Sequence, residues 1–493
     1  MKAQNSLPPL APDPDVRPHA WFRFFPRVSV SSILLGAITL ACGADASFGP
    51  PPTQVLAANL AAVHQTMDNF SASGAWSMQN VGVWSETNKT LVADLLFNTQ
   101  KGIGLSAWRF NVAAGFDPQV QRGNKWQTWR TEHGFLTSEG YDWTQHEGQR
   151  WFLAAAKARG VGQFIAMVYS PPTNYTRNGH VFGTEGNGSS NLKPDHEKIY
   201  SQFLGDVLAH FATNPVAPER VVFDYIMPFN EPAYEWNEPT QEGCRYANDD
   251  IIALTRQLRA ALDARGLKTE IVLPEAPSLT SLFKPEGNIS RKYGKTYGNY
   301  LSAFDSITNI ISRNISAHSY FTDDPATQLL PVRQTLKAEL DKHPFWRFWQ
   351  SEYCVLGSRG PKRDLSMVTA LNVARVMWTD ITVAYANAWH WWLSISPADY
   401  KDGLLYTDWW KPGDAETIFC SKSFWAFGHW SRFIRPGWKR VDLPGPTNIF
   451  GLMGAAFVSP ASDSLAIVLV NPSATNQMVT PAAVHLAAGK AIA

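Results

Sequence analysis

Two carboxylates, Glu231 and Glu352, stand where apolar stretches break into polar sequence. Val221-Val222-Phe223-Asp224-Tyr225-Ile226-Met227-Pro228-Phe229 runs into Asn230-Glu231-Pro232, and Phe345-Trp346-Arg347-Phe348-Trp349 runs into Gln350-Ser351-Glu352-Tyr353. A buried parallel strand reads as a continuous apolar run. In a barrel of such strands the chemistry sits where they end. Two carboxyl groups facing each other across an acetal are the equipment for cleaving a glycosidic bond. Asn-Glu-Pro occurs twice, at 230–232 and 237–239. Glu231 directly follows the apolar run, whereas Glu238 lies in a polar loop. One such tripeptide alone carries little information. Coupled to a second strand-end Glu, it points to a paired-carboxylate site.

Other residues gather around this pair by parity. Arg109 and Asn111 alternate on Leu105 to Val112, so both are expected to point into one interior. Arg109 can close a structural ion pair or hold Glu352 ionised, since a nearby cation favours the charged form. The two roles are compatible. His318 and Tyr320 share parity on Ile315 to Tyr320, with Tyr320 placed to hydrogen-bond a carboxylate. Trp389, Trp391 and Trp392 lie on one stretch; at least one, taken as Trp392, floors the pocket, and the others fill core. Tyr234 and Trp236 either offer flat platforms to a sugar or cover the mouth of the barrel. No Gly-x-Ser-x-Gly elbow, His-Glu-x-x-His or calcium loop occurs, and the 12 histidines lack metal-ligand spacing. Neither metal nor cofactor is expected.

The elements that must position these residues alternate. Strand-like stretches at 105–112, 161–169, 221–229, 269–273, 315–320, 345–349 and 388–393 are separated by helix-like ones. The latter include 152–159, 196–212, 248–265 (capped by Asn248 or Asp249) and 365–384. Asp68 to Trp76 reads as a strand end and loop. This alternation predicts an α/β fold, a (β/α)8 TIM barrel rather than a doubly wound sheet, because no Gly-rich phosphate loop follows a strand. The expected boundaries are a leader at 1–46, N-terminal strands at 47–66, the barrel at 67–415 and a β-rich appendage at 416–493.

The 493 residues are 45% hydrophobic and only 17% charged, which supports a large core and excludes disorder. A net charge of +1 leaves no electrostatic footprint for nucleic acid. Arg23 and Arg27, an apolar Val28 to Ala41 and Ala44-Asp45-Ala46 have the form of a cleaved export signal, so a secreted monomer without a membrane span is expected. Cys42 ends a loose match to a lipid-attachment box, less favoured than plain secretion. Cys244 and Cys354 lie just past the two Glu-bearing strand ends. Loops at one barrel face can meet, so we expect a disulfide between them, with two separate buried thiols as the alternative.

Taken together, Asp68-Asn69-Phe70-Ser71-Ala72-Ser73, Trp108-Arg109-Phe110-Asn111, Ser170-Pro171-Pro172, Phe229-Asn230-Glu231-Pro232, His318-Ser319-Tyr320 and Trp349-Gln350-Ser351-Glu352-Tyr353 resemble glycoside hydrolase family 30. Phe433-Ile434-Arg435-Pro436-Gly437 matches that family's transition into a side β-sandwich. The resemblance spans roughly residues 54 to 493. It implies Glu231 as acid/base, Glu352 as nucleophile, and a sandwich built from both chain ends. It also implies a polysaccharide or oligosaccharide substrate, contacted by Arg109, Asn111, Asn230, Tyr234, Trp236, Glu242, His318, Tyr320 and Trp392. Tyr234-Glu235-Trp236 with Gln241-Glu242-Gly243-Cys244 is most similar to the endo-β-1,6-galactanase branch. Asp-Asn-Phe in the first motif, and the loop Thr173 to Gly179, depart from the glucosylceramide- and xylan-cleaving members. The alternatives are a β-1,6-glucanase or xylanase of the same family, or a carbohydrate-binding barrel without catalysis.

Overall fold

Short stretches buried on both faces become the barrel strands, and segments with one apolar stripe become the helices that cover them. A computed structural model describes residues 53–120, 129–183 and 190–484. The leader, with Cys42, lies outside them. In order, the barrel strands are Asn69–Ser73, Ala107–Asn111, Gln163–Met167, Tyr225–Met227, Glu270–Ile271 continued by Leu273–Ala276, Asn314–His318, Arg347–Glu352 and Ala388–Ser396. All pair in parallel with their sequence neighbours, and the eighth returns to the first at Ala388↔Asn69. The fifth strand is interrupted at Val272. Its first half pairs with the fourth strand and its second with the sixth, which closes the barrel.

The first strand lies in a stretch expected as a strand end and loop, because Asn69-Phe70-Ser71-Ala72-Ser73 looks small and polar. All five residues are buried. The Asn69 amide is satisfied inside the barrel: its Nδ2 donates to Gln163 Oε1 at 2.8 Å, and its Oδ1 lies 2.6 Å from His390 Nε2. Two further expectations are corrected. Within the β-rich appendage, Lys422–Ser431 is a helix, capped by the Ser421 hydroxyl accepting from the Phe424 N–H. The helix Asn248–Asp263 begins after Ala247, whose N–H donates to Asp250, so neither Asn248 nor Asp249 is its cap.

The side β domain takes strands from both ends of the chain. Its sheet runs Leu465–Val470, Met453–Val458, Lys439–Asp442, Gln54–Thr66 and Val479–Val484. Gln54–Thr66 is one long strand, antiparallel to Lys439–Asp442 and parallel to Val479–Val484. The sheet is tied to the barrel's helices: Trp378 Nε1 donates to Gly454 O at 2.8 Å, and Trp430 meets Phe457 edge-on. No described helix is long and apolar enough to cross a membrane.

One buried ion pair anchors the site-bearing end of the sixth strand. Asp380, on the helix Met367–Thr382, accepts from Arg333 Nε at 2.7 Å, from Ser319 Oγ at 3.0 Å and from Trp389 Nε1 at 2.8 Å. Ser319 separates His318 from Tyr320. Asp380→Ala strands a buried guanidinium, which costs about 3–5 kcal/mol. Thermal or denaturant unfolding should show that loss; stability within about 1 kcal/mol of the parent would contradict the anchoring role.

Candidate active site

The two strand ends named from the sequence converge. A carboxylate oxygen of Glu231, Nδ1 of His318 and a carboxylate oxygen of Glu352 lie within 4.8 Å of one another. Glu231 follows the fourth strand in a left-handed conformation, φ 44°. Such a backbone costs of order 1–3 kcal/mol at a non-glycine residue, and it is held on both sides. The Glu231 N–H donates to Glu275 O at 2.9 Å, and the Glu231 carbonyl accepts from Tyr234 N–H at 2.8 Å. Glu352 is the last residue of the seventh strand. Its Oε1 accepts from the Tyr320 hydroxyl at 2.9 Å, and its Oε2 lies 3.6 Å from Arg109 Nη2.

Glu275 is the residue the sequence did not single out. It sits in the second half of the fifth strand, fully buried, with Oε2 3.0 Å from Arg109 Nη2 and 3.4 Å from His318 Nε2. Pro274-Glu275 looked like the end of a strand. A third carboxylate at a strand end was the signal available. Arg109 also donates to the Ser351 carbonyl, so it braces both Glu275 and the residue preceding Glu352.

Burial dominates the electrostatics. It pushes Glu352 up to about 7, even though His318 and Arg109 pull the other way. Arg109 was expected to hold Glu352 low; it opposes the shift without cancelling it, because the carboxylate is almost fully removed from water. For His318, burial works against the cation, but Glu352, Glu231 and Glu275 together push it up to about 10. Glu275 is drawn down to about 2: burial raises it, and Arg109 and His318 more than compensate.

The remaining expected contacts divide. Asn230 is buried beside Glu231. Trp392 meets Trp76 and Tyr169 edge-on, with centroids 5.7 and 5.8 Å away, while Trp389 and Trp391 are fully packed. Asn111 is not brought to the pair: its Nδ2 donates to Glu132 Oε2 at 3.2 Å, and Glu132 is 3.0 Å from His146. Trp236 is only 7% exposed and Tyr234 is 55% exposed, so Tyr234 is the open ring of this loop. A Cβ on Gly243 would stand 2.2 Å from the Trp236 ring, so only glycine fits there. Glu242 is fully buried, accepts from the Ala114 N–H at 3.3 Å, and has its pKa raised by burial, then by Glu132. It cannot reach a substrate hydroxyl in this arrangement. Gln241 is engaged by Arg130 at 2.7 Å. The expected disulfide is absent: Cys244 and Cys354 are both free and buried. The Cys244 Sγ faces the Arg245 carbonyl, and the Cys354 thiol lies near Asp402 and Glu352.

Carboxyl groups this close fit a retaining displacement; inversion needs room for a water between them, at about 6.5–9.5 Å. The sign of the pH dependence follows. Attack needs Glu352 ionised, and its folded pKa of about 7 lies above the ordinary value. We expect kcat/KM to climb about tenfold per pH unit as the pH rises toward that pKa. A flat profile from pH 5 to 7 would contradict this reading.

The sequence model of O-glycosyl hydrolase family 30 matches residues 53–406. Among solved structures, the chain is similar to a conserved exported protein from Bacteroides fragilis, at 27% identity and TM-score 0.76, covering 88% of this chain and 92% of that one. It is similar to the catalytic domain of xylanase C from Talaromyces cellulolyticus at 21% identity and TM-score 0.59, covering 83% and 84%. It is also similar to an endo-β-1,6-glucanase at 18% identity and TM-score 0.66, covering 87% and 90%. The likeness to the last two is one of fold.

Proposed function

Because the chain belongs to O-glycosyl hydrolase family 30, we propose that it is a secreted, retaining endo-β-1,6-galactanase working by double displacement. The observation that carries the mechanism is the placement of Glu231 and Glu352 oxygens within 4.8 Å of each other. Glu352 attacks the anomeric carbon while Glu231 gives its proton to the leaving oxygen. Water then adds to that carbon as Glu231 takes the water's proton and Glu352 departs. Tyr320, donating to Glu352 Oε1, orients the attacking carboxylate.

Support for galactan comes from the loop after the fourth strand. Tyr234-Glu235-Trp236 locks onto Gly243, and Glu235 is held by Arg245 at 3.4 Å and Lys292 at 2.6 Å. The motif that resembles the galactanase branch therefore acts as a scaffold. It presents the Tyr234 ring beside the acid/base. A 1,6-linkage carries an extra rotatable bond, so the polymer must be gripped sugar by sugar, and an exposed ring is a suitable grip. A site that satisfies the axial O4 of galactose would reject glucose strongly, because its polar groups would be left unpaired. Export is supported by the charged, apolar and small-residue order of residues 23–46.

Product analysis after incubation with β-1,6-galactan, β-1,6-glucan and glucuronoxylan tests the substrate. We expect a ladder of oligosaccharides from galactan. A ladder from glucan or xylan with galactan untouched overturns the polymer and leaves the mechanism standing. Glu352→Gln should abolish turnover. Glu231→Gln should lose most activity, least on good leaving groups, with azide restoring part of it at retained configuration. Near-normal turnover of either variant refutes the pair. Tyr234→Ala should raise KM on polymer more than it lowers kcat on an activated short glycoside; equal loss in both would assign Tyr234 a structural role instead.

A further inference from the structure

Double displacement uses Glu231 and Glu352. It does not call on Glu275, yet Glu275 is the most deeply held carboxylate beside them. Its Oε2 faces Arg109 Nη2 at 3.0 Å and His318 Nε2 at 3.4 Å. Its N–H donates to Ser316 Oγ at 2.8 Å, and its carbonyl takes the Glu231 N–H. Glu275 thus touches the acid/base through its backbone and, through His318, through its side chain.

His318 has a carboxylate at each ring nitrogen. Nδ1 is 2.9 Å from Glu231 Oε1 and 3.7 Å from Glu352 Oε1, while Nε2 faces Glu275. A neutral imidazole donates from one nitrogen only, and its other lone pair would then oppose carboxylate oxygens. With Glu231 ionised, as it is once it has given up its proton, only the imidazolium satisfies both sides. The charges agree. Arg109 and the His318 cation balance Glu275 and Glu352 when Glu231 carries the acid proton. The other titratable groups facing this cluster add nothing: burial keeps the Tyr169 and Tyr320 phenols and the Cys354 thiol neutral, and buried His390 is held neutral, down at about 3. After the first chemical step Glu352 is an ester and Glu231 is the carboxylate, so the sum is still zero. Remove the charge of Glu275, and with the acid proton kept on Glu231 the cluster returns to zero only if His318 sheds its proton.

We propose that Glu275 is a positioning residue that keeps His318 an imidazolium, so that the Nδ1–H donates to Glu231 throughout the cycle. When Glu231 passes its proton to the leaving oxygen, the new carboxylate already has a charged donor in place. The C–O bond to the leaving group breaks as the C–O bond to Glu352 forms. His318 keeps its proton in both steps. The inference rests on Glu231 as the acid/base and is independent of which polymer is cut.

Two measurements test it. Nitrogen-15 NMR of histidine side chains, with His318→Asn giving the assignment, reads the protonation state without substrate. His318 should carry two N–H groups at pH 8 in the parent, and Glu275→Gln should move its titration to lower pH. A neutral His318 at pH 8 in the parent overturns the proposal, whether or not the variant folds. The second measurement is leaving-group dependence on aryl glycosides of whichever sugar series the enzyme accepts. Glu275→Gln should slow poor leaving groups about 10- to 100-fold more than dinitrophenolate, because acid assistance is what is weakened. Glu275→Asp, which keeps the charge, should restore part of the difference. A folded Glu275→Gln enzyme that loses activity equally on all leaving groups, with His318 still doubly protonated, would reduce Glu275 to a structural role. Failure on galacto-configured substrates alone would count against the galactan reading and leave the NMR result intact.

Discussion

Charge balance in a place almost closed to water is the constraint on which this site depends. Glu231, Glu275 and Glu352 meet Arg109 and His318 at one end of the barrel, and Arg109, Glu275 and His318 have no exposed side-chain surface. At low dielectric an uncompensated charge is very costly. The charges of the five groups must therefore compensate one another. Burial raises the pKa of Glu352 and so costs some ionisation near neutrality. The same burial strengthens each interaction with charge that develops during the reaction.

Barrel closure is what makes the balance possible. Arg109 comes from the second strand, Glu231 from the end of the fourth, Glu275 from the fifth, His318 from the sixth and Glu352 from the seventh. No two neighbours in this ring come from the same local segment. The interrupted fifth strand has a specific part in it. Its second half pairs with the sixth strand at Ala317↔Ala276, next to His318, while its first half stays on the fourth. Glu275 also has a left-handed backbone, φ 59°, like Glu231 at φ 44°, and the two are joined by the Glu231 N–H to Glu275 carbonyl bond. Strained residues of this kind persist where the surroundings over-determine them.

Glu231 and Glu352 were legible because burial on both faces leaves an unmistakable apolar run, and a charged residue ending such a run is conspicuous. Arg109, His318 and Tyr320 were legible by parity. The first barrel strand was legible only as a strand end running into loop, because Asn69 and Ser73 offset their burial with interior hydrogen bonds that composition does not reveal. Glu275 was missed because the strand was read as 269–273 and ending at Pro274-Glu275, whereas it continues through Glu275 to Ala276. Asn111 shares the parity of Arg109, but it ends its strand and turns to Glu132. Trp236 and Glu242 lie on a loop, where side-chain direction has no period. Cys244 and Cys354 failed as a pair on the same ground.

The loop after the fourth strand shows why substrate choice is harder to read than chemistry. Its most recognisable residues, Trp236 and Gly243, are interlocked in the interior, and Glu242 is sealed beneath them. They fix the loop's shape without offering surface to a ligand. The ring left outside is Tyr234, a residue that its neighbours in sequence do not mark. The residues of a recognisable motif that stay open to solvent can thus be few. Specificity then resides in which ring and which hydroxyl partner the interlock leaves open, and a change in Gly243 would alter substrate choice only by moving Trp236, and through it Tyr234. The catalytic ring, held by five barrel strands, does not depend on that loop for its charge balance. Reaction and substrate preference can therefore vary separately on this fold.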